Sequence, residues 1–573
     1  MDRDDGEHRQ NPTAADVVLW LGSDPAGSDY SETPTDPEAP TLFERLSASQ
    51  REFAVVVLGS APDLYYLSGR AGFGKSHVAR YLVHAFRSVG KLVAVTGTTA
   101  TAASNIGGVT LHRFLKLSKG FESSLEPSHA MWPVLKTISV VIVDEISMAT
   151  AHLLSALDHV LRRAHLPDCK RLPFGGRTII AIGICANCRQ FPTTFRVVYN
   201  NCAVYVLGLW GKFRMHELRE NFRQQDDPEL QMCLDELHDG VDDGQAWDIL
   251  LQRVVGLQGN DALEFTTKDD IVNAAATTPC IAPYKRANPD TGDTVPQCHE
   301  INNDHLLSLG EDTEACRMVH AQAFVAANGK KLKRTGGRLP IVLEYADLQG
   351  VIVLHKGLKV VITKNVNQAK GIVNAACGVV LGWGDTDASI AAEAGEKDTT
   401  QKRPAYVDVR LTTGSGKDTE VKILPYDEKS VWVPFCRGVA VSGAYKVTQL
   451  PLMVAACMTV HRVQGVGFER VALWIPLRGF FAQGQGYTAV SRAKTLGGLF
   501  LVIPDEYLED KDGAKEFLQE SFQPPTDAIE ATDEMRERAP ATVSIATGQG
   551  GKLRMLHFGT RVKTISPCPV AGR

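Results

Sequence analysis

"LYYLSGRAGFGKSHVARYLVHAF", residues 64–86, decides the fold of this chain. It opens on a short apolar run that reads as a buried strand and closes on an amphipathic helical pattern. Between them lies G-x-x-x-x-G-K-S, from Gly69 to Ser76. Glycines at these positions let backbone N–H groups turn inward onto phosphate oxygens, and the start of the helix adds its dipole. Gly69, Gly72 and Gly74 are therefore expected to form a phosphate cradle. Lys75 is expected to reach the β- and γ-phosphates of a nucleotide, and Ser76 to ligate Mg²⁺. A plain Gly-rich turn is the alternative, and a strand before and a helix after argue against it.

Such a loop needs a second metal ligand on a neighbouring strand. "SVVIVDEISMA", residues 139–149, supplies one. Four apolar residues put Asp144 and Glu145 at the end of a buried strand. Asp144 is expected to hold Mg²⁺, and Glu145 to polarise an attacking water, because phosphoryl transfer requires mainly positioning and charge neutralisation. A nucleoside triphosphate and Mg²⁺ are thus the expected substrate and cofactor.

The rest of the chain extends the pattern. "LVAVTG" and "TIIAIG" are again short, apolar and β-branched, and they alternate with helical stretches. Apolar strands alternating with helices indicate parallel sheets covered on both faces. The chain is α/β, and 573 residues suffice for two such sheets. No repeat of fixed period is present. Residues 383–404 are polar and small, and the alternating pattern that follows reads as antiparallel strands, so a β insertion is expected at about 376–452.

Composition narrows the class. The chain is 44% hydrophobic and 22% charged, as in a soluble globular protein. No apolar run approaches the roughly 20 residues of a membrane helix. The acidic start resembles neither a secretory signal nor a mitochondrial presequence. With no export signal, the twelve Cys are expected as reduced thiols in an intracellular protein. Net charge is −5, but unevenly spread. Residues 1–40 hold ten acids against two bases, residues 505–540 hold twelve against four, and residues 541–573 hold five bases and no acid. The body, 41–504, therefore carries +6 between acidic tails that read as disordered, a balance compatible with a polyanion or with ordinary surface charge.

A wider set of motifs is specific. "TGTTATAASNIGGVTLHRF", "VVIVDEISM", "PFGG", "LRENFRQ", "MTVHRVQG" and "GYTAVSRA" follow one another in the order seen in superfamily-one DNA helicases. The chain most resembles the Pif-type (petite integration frequency) helicases and their RecD-like relatives, from about residue 46 to 503. The resemblance implies two RecA-like P-loop NTPase lobes with a small β-barrel insertion in the second. The divisions expected are an acidic tail at 1–40, a first lobe at 41–214, a second lobe at 215–505 and a mostly disordered tail at 506–573. It implies an ATP-dependent helicase that moves 5′ to 3′ on single-stranded DNA and opens forked duplexes, in DNA repair, recombination or telomere maintenance. Such a protein is expected to be a monomer, to meet single-strand-binding or replication proteins, to need no membrane, and to be nuclear in a eukaryote.

Roles carry over by position. Gln50 resembles the glutamine that reads adenine. Arg223 and Arg492 resemble the arginines that the second lobe points at the γ-phosphate, so that charge stabilisation follows cleft closure. Thr99, His112 and His461 fall in stretches that touch single-stranded DNA, and Phe114 beside His112 suits base stacking. An ordinary surface or core role is the alternative for each histidine.

One motif departs from the family. Where a Gly-Asp-x-x-Gln-Leu-Pro pattern is expected, the chain reads "GICANCRQFP", residues 183–192. Gln190 keeps the position of the γ-phosphate sensor. Ile184, Cys185, Ala186 and Asn187 stand where one Asp would be, and no Asp occurs from 169 to 225. The C-x-x-C of Cys185 and Cys188 is then a by-product of a three-residue insertion. A zinc site would need further ligands, with Cys169 and Cys202 the candidates. Two rival readings stay open: a DNA-binding pseudohelicase or scaffold with impaired coupling, and a helicase of a mobile element or virus.

Overall fold

The computed structural model describes residues 38–183 and 209–522, apart from 118–122, 124, 130, 165–170, 261, 288–294, 311–315, 321, 328–329, 335–350, 365, 368–369, 375, 386–403, 413–417 and 434–442. The expectations for Gln190, for the 184–187 insertion, for Cys169, Cys185, Cys188 and Cys202, and for the tails at 1–37 and 523–573 lie outside the described residues.

The first lobe is built on six strands: β1 (Leu64–Ser68), β2 (Val93–Gly97), β3 (Val109–Thr110), β4 (Val140–Asp144), β5 (Thr178–Ile182) and β6 (Arg214–Glu217). Their order is β3-β2-β4-β5-β1-β6, and every pair is parallel. All five residues of β1, β2, β4 and β5 are buried. The alternation of a strand sends successive side chains to opposite faces. Tyr65, Leu67, Val140, Ile142, Ile180 and Ile182 face one layer, where they meet Phe53 of helix α1 (Ala48–Gly59) and Val78, Leu82 and Phe86 of α2 (Lys75–Ser88). Leu64, Tyr66, Val141, Val143, Ile179 and Ala181 face the other, where Leu154, Leu157 and Leu161 of α3 (Ala151–Ala164) cover them. The period-2 apolar strands thus need two helical layers. β6 pairs with β1, so the first sheet extends to Glu217, past the expected limit at 214.

The second lobe repeats the design with four parallel strands. These are β7 (Cys280–Ala282), β8 (Cys457–Thr459), β9 (Val471–Trp474) and β10 (Leu499–Val502), in the order β8-β7-β9-β10. Helices α4 (Pro228–Asp239), α5 (Gln485–Val490) and α6 (Lys511–Ser521) pack on one face of it. Ala71, from the first lobe's phosphate loop, belongs to this same apolar cluster, so the loop touches the second lobe's core.

Two expectations change. The β insertion begins earlier than 376. Antiparallel strands run from Cys316–His320 to Leu452–Val454 in three sheets, and the largest has five strands, Asp418–Ile423, Pro404–Thr412, Cys377–Asp385, Lys359–Ile362 and Leu452–Val454. The helical and acidic segment after 505 is not a tail as far as residue 522. Phe517, Leu518 and Phe522 are buried, and the Phe522 ring meets Trp247 edge to face at 6.1 Å. Charge content suggested a solvated tail, but three apolar residues at helical spacing fasten it.

Candidate active site

The phosphate loop has the backbone its glycines predict. Gly72 and Gly74 hold φ of 88° and 74°, in the left-handed region that favours glycine. A Cβ on Gly72 would stand 2.6 Å from the Cβ of Arg223, and one on Gly74 would stand 2.5 Å from Nε2 of Gln50, so both positions also need the space. α2 starts at Lys75, directly after this loop.

The Lys75 ammonium donates to the carbonyl oxygens of Gly69, at 2.8 Å, and Arg70, at 3.0 Å. Ser76 Oγ lies 3.0 Å from Asp144 Oδ2, across the gap between α2 and β4. A hydroxyl and a carboxylate oxygen side by side are the hard oxygen ligands that Mg²⁺ prefers. Glu145, the next residue, sits at φ 53° and ψ 46°, a left-handed conformation rare outside glycine. Such strain costs on the order of 1–3 kcal/mol and concentrates at functional sites. Its cause is local: the Glu145 N–H donates to Asp144 Oδ1 at 2.9 Å, and Thr98 Oγ1 donates to the Glu145 carbonyl at 2.7 Å.

The second lobe closes over these groups. Arg492 is 2% exposed and donates to the carbonyls of Thr488 (2.8 Å) and Val466 (3.4 Å) and to Ser491 Oγ (2.6 Å). The Arg223 guanidinium donates to the Ser491 carbonyl at 3.0 Å. Gln464 Nε2 donates to Glu145 Oε2 at 3.0 Å, and the Ala71 N–H donates to the Tyr487 hydroxyl at 3.2 Å. Arg70 also pairs with Asp235 and Asp239 of α4, but those partners are about half exposed, and such pairs contribute only up to about 1 kcal/mol. The seat of Ala71 in the second lobe's core and the polar contacts of Arg223, Gln464 and Tyr487 join the lobes more than these ion pairs do.

Arg223 corrects one detail. It was expected to ride on the second lobe, yet it sits on the chain leaving β6, where the neighbouring Phe222 N–H donates to the Gly72 carbonyl at 3.0 Å. Its segment is tied to the phosphate loop, while the Arg223 guanidinium and the Gln224 amide, which donates to the Ala493 carbonyl at 2.9 Å, cross to the second lobe.

Electrostatics sets the chemistry. Lys75 and Arg492, both buried, and the half-buried Arg223 are three cations within one another's field, facing Asp144 and Glu145. Burial pushes the Lys75 amine down to about 8, although both carboxylates oppose the shift and both arginines add to it. Burial, then repulsion from Arg223, pushes Arg492 down to about 9. Burial, then the Glu145 charge, raises the Asp144 carboxyl well above its usual range. The cations are disfavoured where they stand, and an anion with several oxygens would relieve all three. An added cation beside Asp144 would relieve the carboxylate.

The other expected residues are placed as follows. Gln50 is buried beside Gly74. Its Nε2 donates to the Phe73 carbonyl at 3.1 Å and its Oε1 accepts from the Ser47 N–H at 3.0 Å, so it also completes the cap of α1. Thr99 Oγ1 accepts from the Ala102 N–H at 3.1 Å and is half-buried. His112 is exposed. Phe114, 1% exposed, lies in the first lobe's core and offers no ring face to a base, because the short helix that carries it turns it against the sheet. His461 is exposed overall, with one ring face stacked on Phe481 at 5.5 Å. Sequence reading missed Gln464, Tyr487 and Phe222. Gln464 stands three residues beyond His461 in a quoted motif, and Tyr487 lies in another, so both were within reach. Phe222 is 43% exposed beside Gly74, which only the fold reveals. Among the described residues, no group of three or more His, Cys, Asp or Glu side chains is placed to hold a metal, and no helix is long and apolar enough to cross a membrane.

Comparison with known proteins agrees with this geometry. Residues 45–242 match the family model described as PIF1-like helicase. An ATP-dependent DNA helicase Pif1 of a Psychrobacter species is 26% identical over 485 residues, which cover 76% of this chain and 65% of the relative. The chain spans between 46% and 65% of the length of the curated relatives it matches. The crystal structure of the Pif1 helicase from Candida albicans superposes with a TM-score of 0.57 at 22% identity, over 86% of this chain and 99% of that one. A Bacteroides Pif1 bound to single-stranded DNA gives 0.52 at 20% identity, over 84% and 99%. These two structures establish the fold, an α/β arrangement of RecA-like lobes.

Proposed function

We propose, for a chain that is PIF1-like in sequence and in fold, that it hydrolyses ATP in the cleft between its lobes and couples hydrolysis to 5′-to-3′ movement along single-stranded DNA and to the opening of forked duplexes. The observation that carries this reading is the set of buried Lys75 and Arg492 and half-buried Arg223 facing Asp144 and Glu145, with groups from both lobes in contact. Three cations suit a triphosphate, and their partial origin in the second lobe ties catalysis to closure.

In this mechanism the loop N–H groups between Gly69 and Ser76 and the Lys75 ammonium hold the β- and γ-phosphates. Ser76 and Asp144 would hold Mg²⁺, which when bound neutralises charge on the phosphate oxygens. Glu145 orients the attacking water and accepts its proton. Arg223 and Arg492 meet the negative charge that develops on the transferring group. Gln50 and Phe222, flanking Gly74, suit the edge and the face of the adenine. Gln190, at the family's γ-phosphate-sensor position in the sequence, senses the γ-phosphate. Phe114 has no part in the DNA path. Single-stranded and forked DNA are the partners, and a role in DNA repair, recombination or telomere maintenance follows the family.

The test is ATP turnover with and without single-stranded DNA, followed by strand separation on forks with either a 5′ or a 3′ tail. Turnover should rise strongly with DNA and need Mg²⁺, and only the 5′-tailed fork should open. Turnover indifferent to DNA would remove the helicase reading.

A second reading, poor coupling of hydrolysis to unwinding, is favoured by the absence of Asp from 169 to 225. Asn187, a neutral amide, cannot replace a carboxylate as a charge-assisted acceptor. Deleting Ile184, Cys185 and Ala186 and changing Asn187→Asp should raise the number of base pairs opened per ATP. An unchanged ratio would dispose of this second reading.

A further inference from the structure

The strand order of the second lobe brings three distant segments together. β8, β7 and β9 are adjacent and parallel, and each runs into a loop at its C-terminal end, the edge where α/β sheets bind ligands. The loop after β7 carries Tyr284, Lys285 and Arg286, the loop after β8 carries His461, and the loop after β9 carries Arg478 and Phe481. Their side chains form one stack. The His461 and Phe481 rings lie 5.5 Å apart and 22° from parallel. Tyr284 meets Phe481 at 5.5 Å with a 53° tilt, and the Arg478 guanidinium lies 3.5 Å from the centre of the Tyr284 ring. Arg478 also donates to the Arg286 carbonyl at 3.3 Å, which ties two of the loops together. Phe481 remains 51% exposed, and Lys285 and Arg286 are exposed beside Tyr284.

A single exposed apolar ring would mean little, since folded surfaces carry many. Here the exposed ring is backed by two others and a guanidinium, which fixes its orientation, and it is bordered by positive charge. Interleaved aromatic rings and basic side chains are what single-stranded nucleic acid recognises: the rings stack bases and the cations follow phosphates. We propose that Phe481, held by His461 and Tyr284, is a base-stacking position on the single-strand path, with Lys285 and Arg286 engaging the adjoining phosphates. This rests on the reading of the chain as a DNA helicase and adds residues that the family motifs did not supply. It also moves the expected stacking role from Phe114, which is buried, to the second lobe.

The experiment uses the full chain and two fluorescent oligonucleotides, an oligo-dT and one of equal length with abasic sites, which keeps the phosphates and removes the bases. Anisotropy titrations are run on wild type, Phe481→Ala and Phe481→Trp at several salt concentrations. Phe481→Ala should weaken binding of oligo-dT about ten-fold, leave binding of the abasic strand unchanged and leave the salt dependence unchanged, whereas Phe481→Trp should restore the oligo-dT affinity. Equal loss on both strands, or loss on neither, would overturn the stacking proposal while leaving the helicase reading in place. A wild-type chain that binds neither strand would remove that reading itself.

Discussion

In the first lobe, β1, β2 and β4 run at their C-terminal ends into Gly69, Thr98 and Glu145; in the second, β7, β8 and β9 run into Tyr284, His461 and Phe481. Both edges belong to parallel sheets with buried strands, yet they hold different chemistry. The first is small, tightly turned and charged, with backbone N–H groups and carboxylates in a cleft closed by Arg492. The second is broad and aromatic, with exposed rings and cations. Under the proposed function, the difference follows from what each edge would meet. A triphosphate is compact and highly charged, so it requires glycine for close backbone approach and buried cations. A nucleic-acid strand is extended, with apolar faces between spaced charges. One architecture serves both because a parallel sheet leaves its loops free to differ.

Substitutions can break this contrast, beginning with the first edge. Lys75→Ala should lower turnover by about a thousand-fold or more, since the ammonium that reaches the loop is gone. A coupled phosphate-release assay measures this, and retained turnover would remove Lys75 from the mechanism. Glu145→Gln should lose turnover to a similar extent while keeping ATP affinity, because the amide preserves shape and removes only the base. Equilibrium binding of a fluorescent ATP analogue beside single-turnover hydrolysis separates the two effects. Arg492→Ala should cost about a thousand-fold in turnover, within the range for an arginine that stabilises the transferring group. Thermal melting must accompany that measurement, since Arg492 is also buried and makes three hydrogen bonds. Arg492→Lys should recover little, because an ammonium lacks the planar fork.

Where the two edges meet, effects should be smaller. Gln464 links the loop that carries His461 to the carboxylate of Glu145, and its amide occupies one of the two oxygens of the proposed base. Gln464→Ala should raise turnover without DNA by a few-fold and reduce stimulation by single-stranded DNA, as fits the loss of one hydrogen bond to a charged group. Unchanged turnover under both conditions would mean that the contact carries no signal. The smallest effect concerns pH. Partial desolvation of the ring, one face of which lies against Phe481, lowers the His461 pKa below its usual 6.5, so the imidazole is neutral at pH 7 and contributes a ring, not a charge. Affinity for oligo-dT should therefore be flat between pH 8 and 7, as anisotropy titrations would show. A rise over that interval would assign His461 a phosphate contact.

Reading the first edge from sequence was straightforward for a physical reason. A phosphate loop is local: its glycines, lysine and serine lie within eight residues, and the strand and helix beside it declare themselves by periodicity. The Asp-Glu pair is likewise announced by the apolar strand that delivers it. The second edge had no such signal. Phe481 falls in no charged or glycine-spaced pattern, and it gains meaning only when a loop some 20 residues after His461 and nearly 200 after Tyr284 folds beside both. Phe114 failed in the opposite sense. Its neighbour His112 points to solvent, but a short helix sends Phe114 inward, and sequence adjacency does not say which way a side chain turns.

The amino-acid sequence by itself determined the α/β class, the phosphate loop, the Asp144–Glu145 strand end and the order of the remaining motifs, because each is a short-range pattern imposed by backbone geometry and burial. Only the tertiary structure decided which groups complete the cleft. Tyr487 reaches Ala71 across 416 positions, and Gln464 reaches Glu145 across 319. Contacts of that separation depend on how two lobes, each packed around its own core, settle against one another. No window of sequence carries that information, since it belongs to the packing of the whole chain.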